Sequence, residues 1–253
     1  MKSPPLTVLR GFFPPMGVFM KNNSSKLGVR RLVTMALFCA LAYVTVFTLR
    51  ISGIGGFLTF DIKDTVITIA AMLFGPFSGV VIALVVSLLE MVTISGTGPW
   101  GFLMNFVSSA VFAGCASAVY TYAPRLRRHM SGAVSGLCCS VVAMTAVMLL
   151  MNLLVTPIYY HVSLETVKGM LLPLLLPFNF IKALLNSALV MVLYKPVSAA
   201  LHRMRLVVSE EGRDSSYHFG VRSLVVIIGG LAVAAGCVAL LVAVLGGQIT
   251  WNK

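Results

Sequence analysis

Apolar residues along this chain gather into seven runs, all but the second about 15 to 25 long, close to the roughly 20 a helix needs to span the hydrocarbon of a bilayer. The first covers about residues 32–49 and stops at Arg50, and a glycine-rich segment, Ser52-Gly53-Ile54-Gly55-Gly56-Phe57, follows it. A shorter run over 65–74 meets Gly75-Pro76, a turn signal, and a third covers 77–94. Further runs cover 101–122, 132–156, 171–194 and 224–245. This pattern predicts an all-α fold: a polytopic transmembrane helix bundle with a six-helix body and a seventh, C-terminal transmembrane helix.

Whether the short second run crosses the membrane is decided by parity. Basic residues cluster at the ends of the runs: Lys26, Arg30 and Arg31, then Arg125, Arg127 and Arg128, then Lys195, Arg203 and Arg205. Only if the second run crosses do all these clusters fall on one side, as the positive-inside rule requires of cytoplasmic loops. Its length is made up by starting near Phe60 or by local thinning of the bilayer. The N-terminus is then cytoplasmic, and the C-terminus is outside if the seventh run also crosses. The organisation expected is a cytoplasmic segment at 1–29, a six-helix substrate-binding membrane domain at 30–205, a cytoplasmic linker at 206–222 and the extra helix at 223–253.

Composition agrees: of 253 residues, 58% are hydrophobic and only 10% are charged, against about 25% charged in soluble domains. The net charge of +12 is explained by the loop clusters, so no nucleic-acid role is inferred. All five cysteines lie inside apolar runs without C-x-x-C spacing, which indicates neither a disulfide framework nor a metal site. At the N-terminus, Pro4, Pro5, Pro14 and Pro15 break any signal-peptide core, and Met20-Lys21-Asn22-Asn23-Ser24 reads like an ordinary polar start.

Polar side chains inside a span are costly and therefore mark function by default. Glu90, Asn105, Asn152, Asn179, Lys182 and Asn186 are the set here. Asn179, Lys182 and Asn186 recur at i, i+3 and i+7, so they share a helix face that must look into the bundle. Asn105 and Asn186 read as interhelical hydrogen-bonding residues, whereas Asn179 with Lys182, just after Pro173 and Pro177, reads as a ligand site. Glu90 is either the partner of a buried cation or part of that site. Outer loops add Trp100, Tyr159, Tyr160 and His161. Without an H-E-x-x-H, P-loop, G-x-S-x-G or paired-acid motif, no catalytic residue is assigned and the chain is not expected to be an enzyme. In the first run, Ala36 and Ala40 lie four residues apart, a spacing that lets another helix approach closely.

These residues together resemble the S components of energy-coupling-factor (ECF) vitamin transporters, most closely the riboflavin-binding members. The resemblance rests on Ala36-Leu37-Phe38-Cys39-Ala40, Phe60-Asp61-Ile62-Lys63-Asp64, Leu73-Phe74-Gly75-Pro76, Gly96-Thr97-Gly98-Pro99 and Leu176-Pro177-Phe178-Asn179-Phe180-Ile181-Lys182 with Asn186. It implies a six-helix protein that binds its vitamin near the outer face and docks on a membrane T component driven by two ATPase subunits. By the same resemblance Ala36 and Ala40 match the docking motif, Gly55, Gly56, Phe57 and Leu58 the lid, and Asn152, Asn179 and Lys182 the flavin contacts. Riboflavin is then a transported ligand and no cofactor is expected. Amides and an ammonium suit a flat ring with a polar pyrimidine edge. With Lys182 as the one cation within the spans, neutral riboflavin is preferred over its phosphate. The alternatives are an S component for another vitamin or precursor and a membrane assembly subunit without a ligand.

Overall fold

The computed structural model describes residues 25–54, 58–94, 96–123 and 130–204 and parts of 228–239. Helix α1 (Ser25–Leu49) leads into a two-stranded antiparallel hairpin, β1 (Ile51–Ile54) and β2 (Leu58–Phe60), in which Ile51 pairs with Phe60. Then follow α2 (Lys63–Phe74), α3 (Pro76–Thr93), α4 (Gly98–Tyr122), α5 (Met130–Tyr160) and α6 (Leu164–Met170). A π-helical turn (Leu171–Leu175) runs into α7 (Leu176–Arg203). The hairpin is a small departure from the all-helical expectation, which has no strand in it.

Among the described residues, five helical segments are long and apolar enough to cross a membrane: 28–49, 76–93, 98–122, 130–160 and 164–201. Helix α2 is the exception. Its 12 residues rise about 18 Å at 1.5 Å each, short of a hydrocarbon core of about 30 Å. Every residue from Lys63 to Met72 is buried, so α2 is the central post around which α1, α3, α4 and α7 pack. Gly75 ends it in a left-handed conformation, φ 98°, open to glycine without strain, and Pro76 then begins α3 at a position where its missing N–H costs nothing.

Helix α1 shows its two faces in its sequence. Thr34, Phe38, Ala42 and Val46, four residues apart, are buried against the bundle. Leu32, Val33, Leu37, Leu41, Val44 and Phe47 are exposed, as are Ala36 and Ala40. Phe38 meets Phe74 edge-on at 6.1 Å, and Arg31 donates to the Phe74 carbonyl oxygen and to Ser78 Oγ, each at 2.8 Å. Only one ridge of α1 is therefore spent on the fold.

Most of the expected seventh helix lies outside the described residues, but two of its positions show how the segment sits. A Cβ on Gly230 would come within 2.9 Å of Val192 Cγ2 and 3.2 Å of the Ala188 carbonyl oxygen, so the segment approaches α7 at backbone distance. Cys237 is buried in the apolar cluster that includes Phe178, Ile181 and Leu185. At Gly230 the chain thus lies against α7.

Candidate functional site

Helix ends and the hairpin converge on a cleft that opens to the surface of the bundle. Its deep wall is Asn152 from α5 and Phe178, Asn179 and Lys182 from α7. Leu58 and Thr59 of β2 form one side, and Met104, Asn105 and Ser108 of α4 another. Arg50, Thr97, Trp100, Tyr159 and Tyr160, none of them buried, complete the lining.

The polar groups of the deep wall are buried but not used up. Asn152 Nδ2 donates to the Met148 carbonyl oxygen at 2.8 Å, and its Oδ1 accepts from Thr156 Oγ1 at 3.1 Å. Asn179 Nδ2 donates to the Leu175 carbonyl oxygen at 2.8 Å. An amide has two N–H donors and an oxygen with two lone pairs, so each asparagine keeps capacity for a ligand. Ser108, 3% exposed, lines the cleft with a hydroxyl that finds no partner among the described residues. A buried hydroxyl left unpaired costs free energy, which makes Ser108 a further candidate contact.

The local backbone explains how α7 presents these groups. Pro173 and Pro177 each lack an N–H, and the chain between them passes through the π turn before α7 settles. Such wide turns recur at functional sites because they re-aim the side chains that follow. Phe178, Asn179 and Lys182 come directly after.

Behind the cleft lies a set of buried charges that changes the sequence-based picture. Lys182 Nζ donates to Asp61 Oδ2 at 2.9 Å. Lys63 Nζ donates to both Glu90 oxygens, at 2.6 and 2.7 Å, and Asn105 Nδ2 donates to Glu90 Oε2 at 2.8 Å. Ser109 donates to Asp64. Asn186 Oδ1 accepts from Thr65 N at 3.0 Å and Thr65 Oγ1 at 2.8 Å, while its Nδ2 donates to the carbonyl oxygens of Asp61, at 3.3 Å, and Lys182, at 3.0 Å. Lys182 is therefore not the one cation among the spans, since Lys63 is 1% exposed. Glu90 is the partner of that second cation, and it also holds Asn105 at the cleft wall. Asn186 is a fastener between α7 and the start of α2, as expected of a hydrogen-bonding residue.

The structure brings Asn152, Asn179, Lys182 and Leu58 to one cleft, with Trp100, Tyr159 and Tyr160 beside them. Gly55, Gly56 and Phe57, the middle of the expected lid, lie outside the described residues. His161 sits past the end of α5 with φ 52°, and it is not among the residues lining the cleft. Ala36 and Ala40 lie on α1, which contributes no residue to the cleft, the first lining residue being Arg50 just after it. Arg50, Asp61, Lys63 and Ser108 had no place in the sequence-based site. Among the described residues no cluster of His, Cys, Asp or Glu has metal-binding form.

Comparison with known proteins decides the family. Residues 30–194 match the family described as "ECF transporter, substrate-specific component". The chain belongs to that family. It is therefore a multi-pass membrane component of a transporter and not an enzyme. Over 182 residues, 69% of the chain, it is 29% identical to the riboflavin transporter RibU of Staphylococcus aureus (strain TCH60), covering 94% of that protein. A solved structure described as "Structure and mechanism of the S component of a bacterial ECF transporter" superposes with a TM-score of 0.59 at 29% identity, over 69% of this chain and 98% of the other. Both coverages end short of the whole chain, so the likeness is to a protein of about the size of the six-helix body.

Proposed function

We propose that this protein is the riboflavin-capturing subunit of an ECF-type importer, taking the vitamin at the outer face for ATP-driven uptake by a T component and two ATPase subunits. The observation that carries the reading is the cleft in which Asn152, Asn179 and Lys182 meet amid apolar and aromatic side chains. A flavin ring is flat and mostly apolar, and its pyrimidine edge alternates acceptors with a donor. The two amides offer both functions, and Lys182 has three N–H donors of which Asp61 takes one. The likeness to a protein named for riboflavin transport supports the same ligand.

Residues 30–205 are the substrate-binding body in this reading, 206–222 a cytoplasmic linker and 223–253 an added helix. The N-terminus is cytoplasmic, and the cleft opens outward. In this reading Gly55, Gly56, Phe57 and Leu58 form the lid over the ligand, which the presence of Leu58 and Thr59 in the cleft lining supports. Ala36 and Ala40 receive the T component on the exposed face of α1, where small side chains allow close backbone approach.

The test is purification in mild detergent followed by absorbance and mass spectrometry of the released ligand, with riboflavin titrations followed by fluorescence quenching. A flavin spectrum and saturable quenching are expected. A protein that neither carries nor binds riboflavin would overturn the assignment.

A further inference from the structure

Asn105 stands on the α4 side of the cleft with its amide tied at one end only. Its Nδ2 donates to Glu90 Oε2 at 2.8 Å, and Glu90 is held in turn by Lys63 Nζ, which donates to both of its oxygens at 2.6 and 2.7 Å. An asparagine amide turned end for end keeps its shape, so its direction is set by its partners. A carboxylate facing an ammonium only accepts, and the end of the amide that meets it is therefore the NH₂ end. The carbonyl oxygen is turned the other way, and Asn105 makes no second hydrogen bond among the described residues. Because Asn105 is half-buried and lines the cleft, that oxygen is left to whatever the cleft holds. Lys63 and Glu90 are buried behind it and line no part of the cleft themselves.

The chemistry of a flavin narrows what an acceptor at that place meets. With the pyrimidine edge and its single N–H facing Asn152, Asn179 and Lys182, the ring has no donor to spare, since its dimethyl edge carries neither N–H nor O–H. The donors that remain are the hydroxyls of the ribityl chain. Ser108, three residues further along α4 and on the same face of it, also lines the cleft, and its buried hydroxyl has no partner among the described residues. An oxygen that only accepts beside a hydroxyl that both donates and accepts suits neighbouring hydroxyls of a sugar-alcohol chain.

We propose that Asn105 is a specificity-determining contact for the ribityl chain, and that Glu90, fixed by Lys63, is the positioning residue that presents the Asn105 carbonyl oxygen as an acceptor. The inference rests on the flavin reading of the cleft and deepens it. A bare ring without the chain leaves that oxygen unpaired in a largely enclosed place, which is how a site built to hydrogen-bond a hydroxyl rejects a ligand that lacks one. The buried ion pair, costly in itself, thereby acts on selectivity as well as on the fold.

Affinities for riboflavin and for lumiflavin, which carries a methyl group in place of the ribityl chain, are measured by fluorescence quenching on the detergent-purified full chain. The wild type is compared with Asn105→Ala, Glu90→Gln and the double variant Lys63→Met/Glu90→Leu, and thermal unfolding is followed for each. The wild type is expected to bind riboflavin about tenfold or more tighter than lumiflavin. Asn105→Ala lowers that ratio by about tenfold, through weaker riboflavin binding alone. Glu90→Gln, whose amide can meet Asn105 with either end, and the double variant, which removes the anchor without stranding a charge, lower the ratio as well while lumiflavin affinity holds. An unchanged ratio in Asn105→Ala overturns the contact, and so does an equal loss for the two flavins, the sign of a merely structural role. A ratio that falls in Asn105→Ala yet keeps its wild-type value in both pair variants overturns the part given to Glu90. Wild-type binding of riboflavin no tighter than that of lumiflavin overturns the inference and leaves the flavin reading in place. Failure of the wild type to bind either flavin is the failure of the flavin reading itself.

Discussion

Lys182 Nζ lies 2.9 Å from Asp61 Oδ2, although 121 residues separate the two in sequence and both are almost wholly buried. The pair ties the residue after the hairpin to the helix that carries Asn179. Breaking a buried pair from one side leaves an uncompensated charge and costs about 3 to 5 kcal/mol, whereas replacing both partners together is often nearly neutral. Asp61→Ala is therefore expected to lower the unfolding midpoint in detergent far more than the double variant Asp61→Asn/Lys182→Met. A double variant no more stable than Asp61→Ala would show that the two charges do not depend on each other.

For the cleft itself, Asn179→Ala and Lys182→Ala are each expected to weaken riboflavin binding about tenfold to a hundredfold, since a polar partner left unsatisfied costs about 1 to 3 kcal/mol. Fluorescence titration gives the affinities. Lys182→Ala also strands Asp61, so its thermal stability is measured alongside to separate lost contact from lost structure. Unchanged affinity in both variants would place the ligand elsewhere.

Ser108→Ala is the milder companion test. Its hydroxyl has no partner among the described residues, so removing it leaves nothing stranded in the protein. Stability is expected to hold or rise slightly, while riboflavin affinity falls by about threefold to tenfold for one neutral hydrogen bond. Unaltered affinity would remove Ser108 from the ligand's contacts.

On α1, replacing Ala36 and Ala40 together with leucine is expected to abolish cellular riboflavin uptake while the purified protein still binds the vitamin. Both alanines are exposed, so the larger side chains meet no neighbour within this chain. Persistent uptake would mean that the T component docks on another face.

Orientation is open to cysteine labelling in a background without the native cysteines. Positions 127 and 213 are expected to react only from the cytoplasmic side, and positions 160 and 251 only from outside. Labelling of position 127 from outside would reverse the body.

Much of the bundle was legible because a bilayer demands long apolar runs, and the runs of the six-helix body each fall on a helix of the structure. Asn179 and Lys182 announced themselves because a polar residue inside such a run has few innocent explanations. Asp61 and Lys63 did not, because they precede the run at 65–74 and look like residues of a polar loop. Their burial comes from tertiary packing: α2 is sunk among four helices, and its first turn lies inside the protein. The expectation that the second crossing begins near Phe60 held the needed signal, since it puts Asp61, Lys63 and Asp64 within the span and asks for partners. Ser108 gave no signal, since serine is ordinary in a transmembrane helix and only the missing hydrogen bond sets it apart. The hairpin was hidden behind glycines that read as loop.

The brevity of α2 bears on how charge is kept inside an apolar bundle. Asp61 follows the hairpin just before α2 begins and grips Lys182 at the cleft wall, so a ligand seated as proposed lies beside the first turn of the central post. The post rises only about 18 Å, at 1.5 Å per residue over its 12 residues, against a hydrocarbon thickness of about 30 Å, so the buried charges at its first turn lie inside the bundle and not in a surface loop.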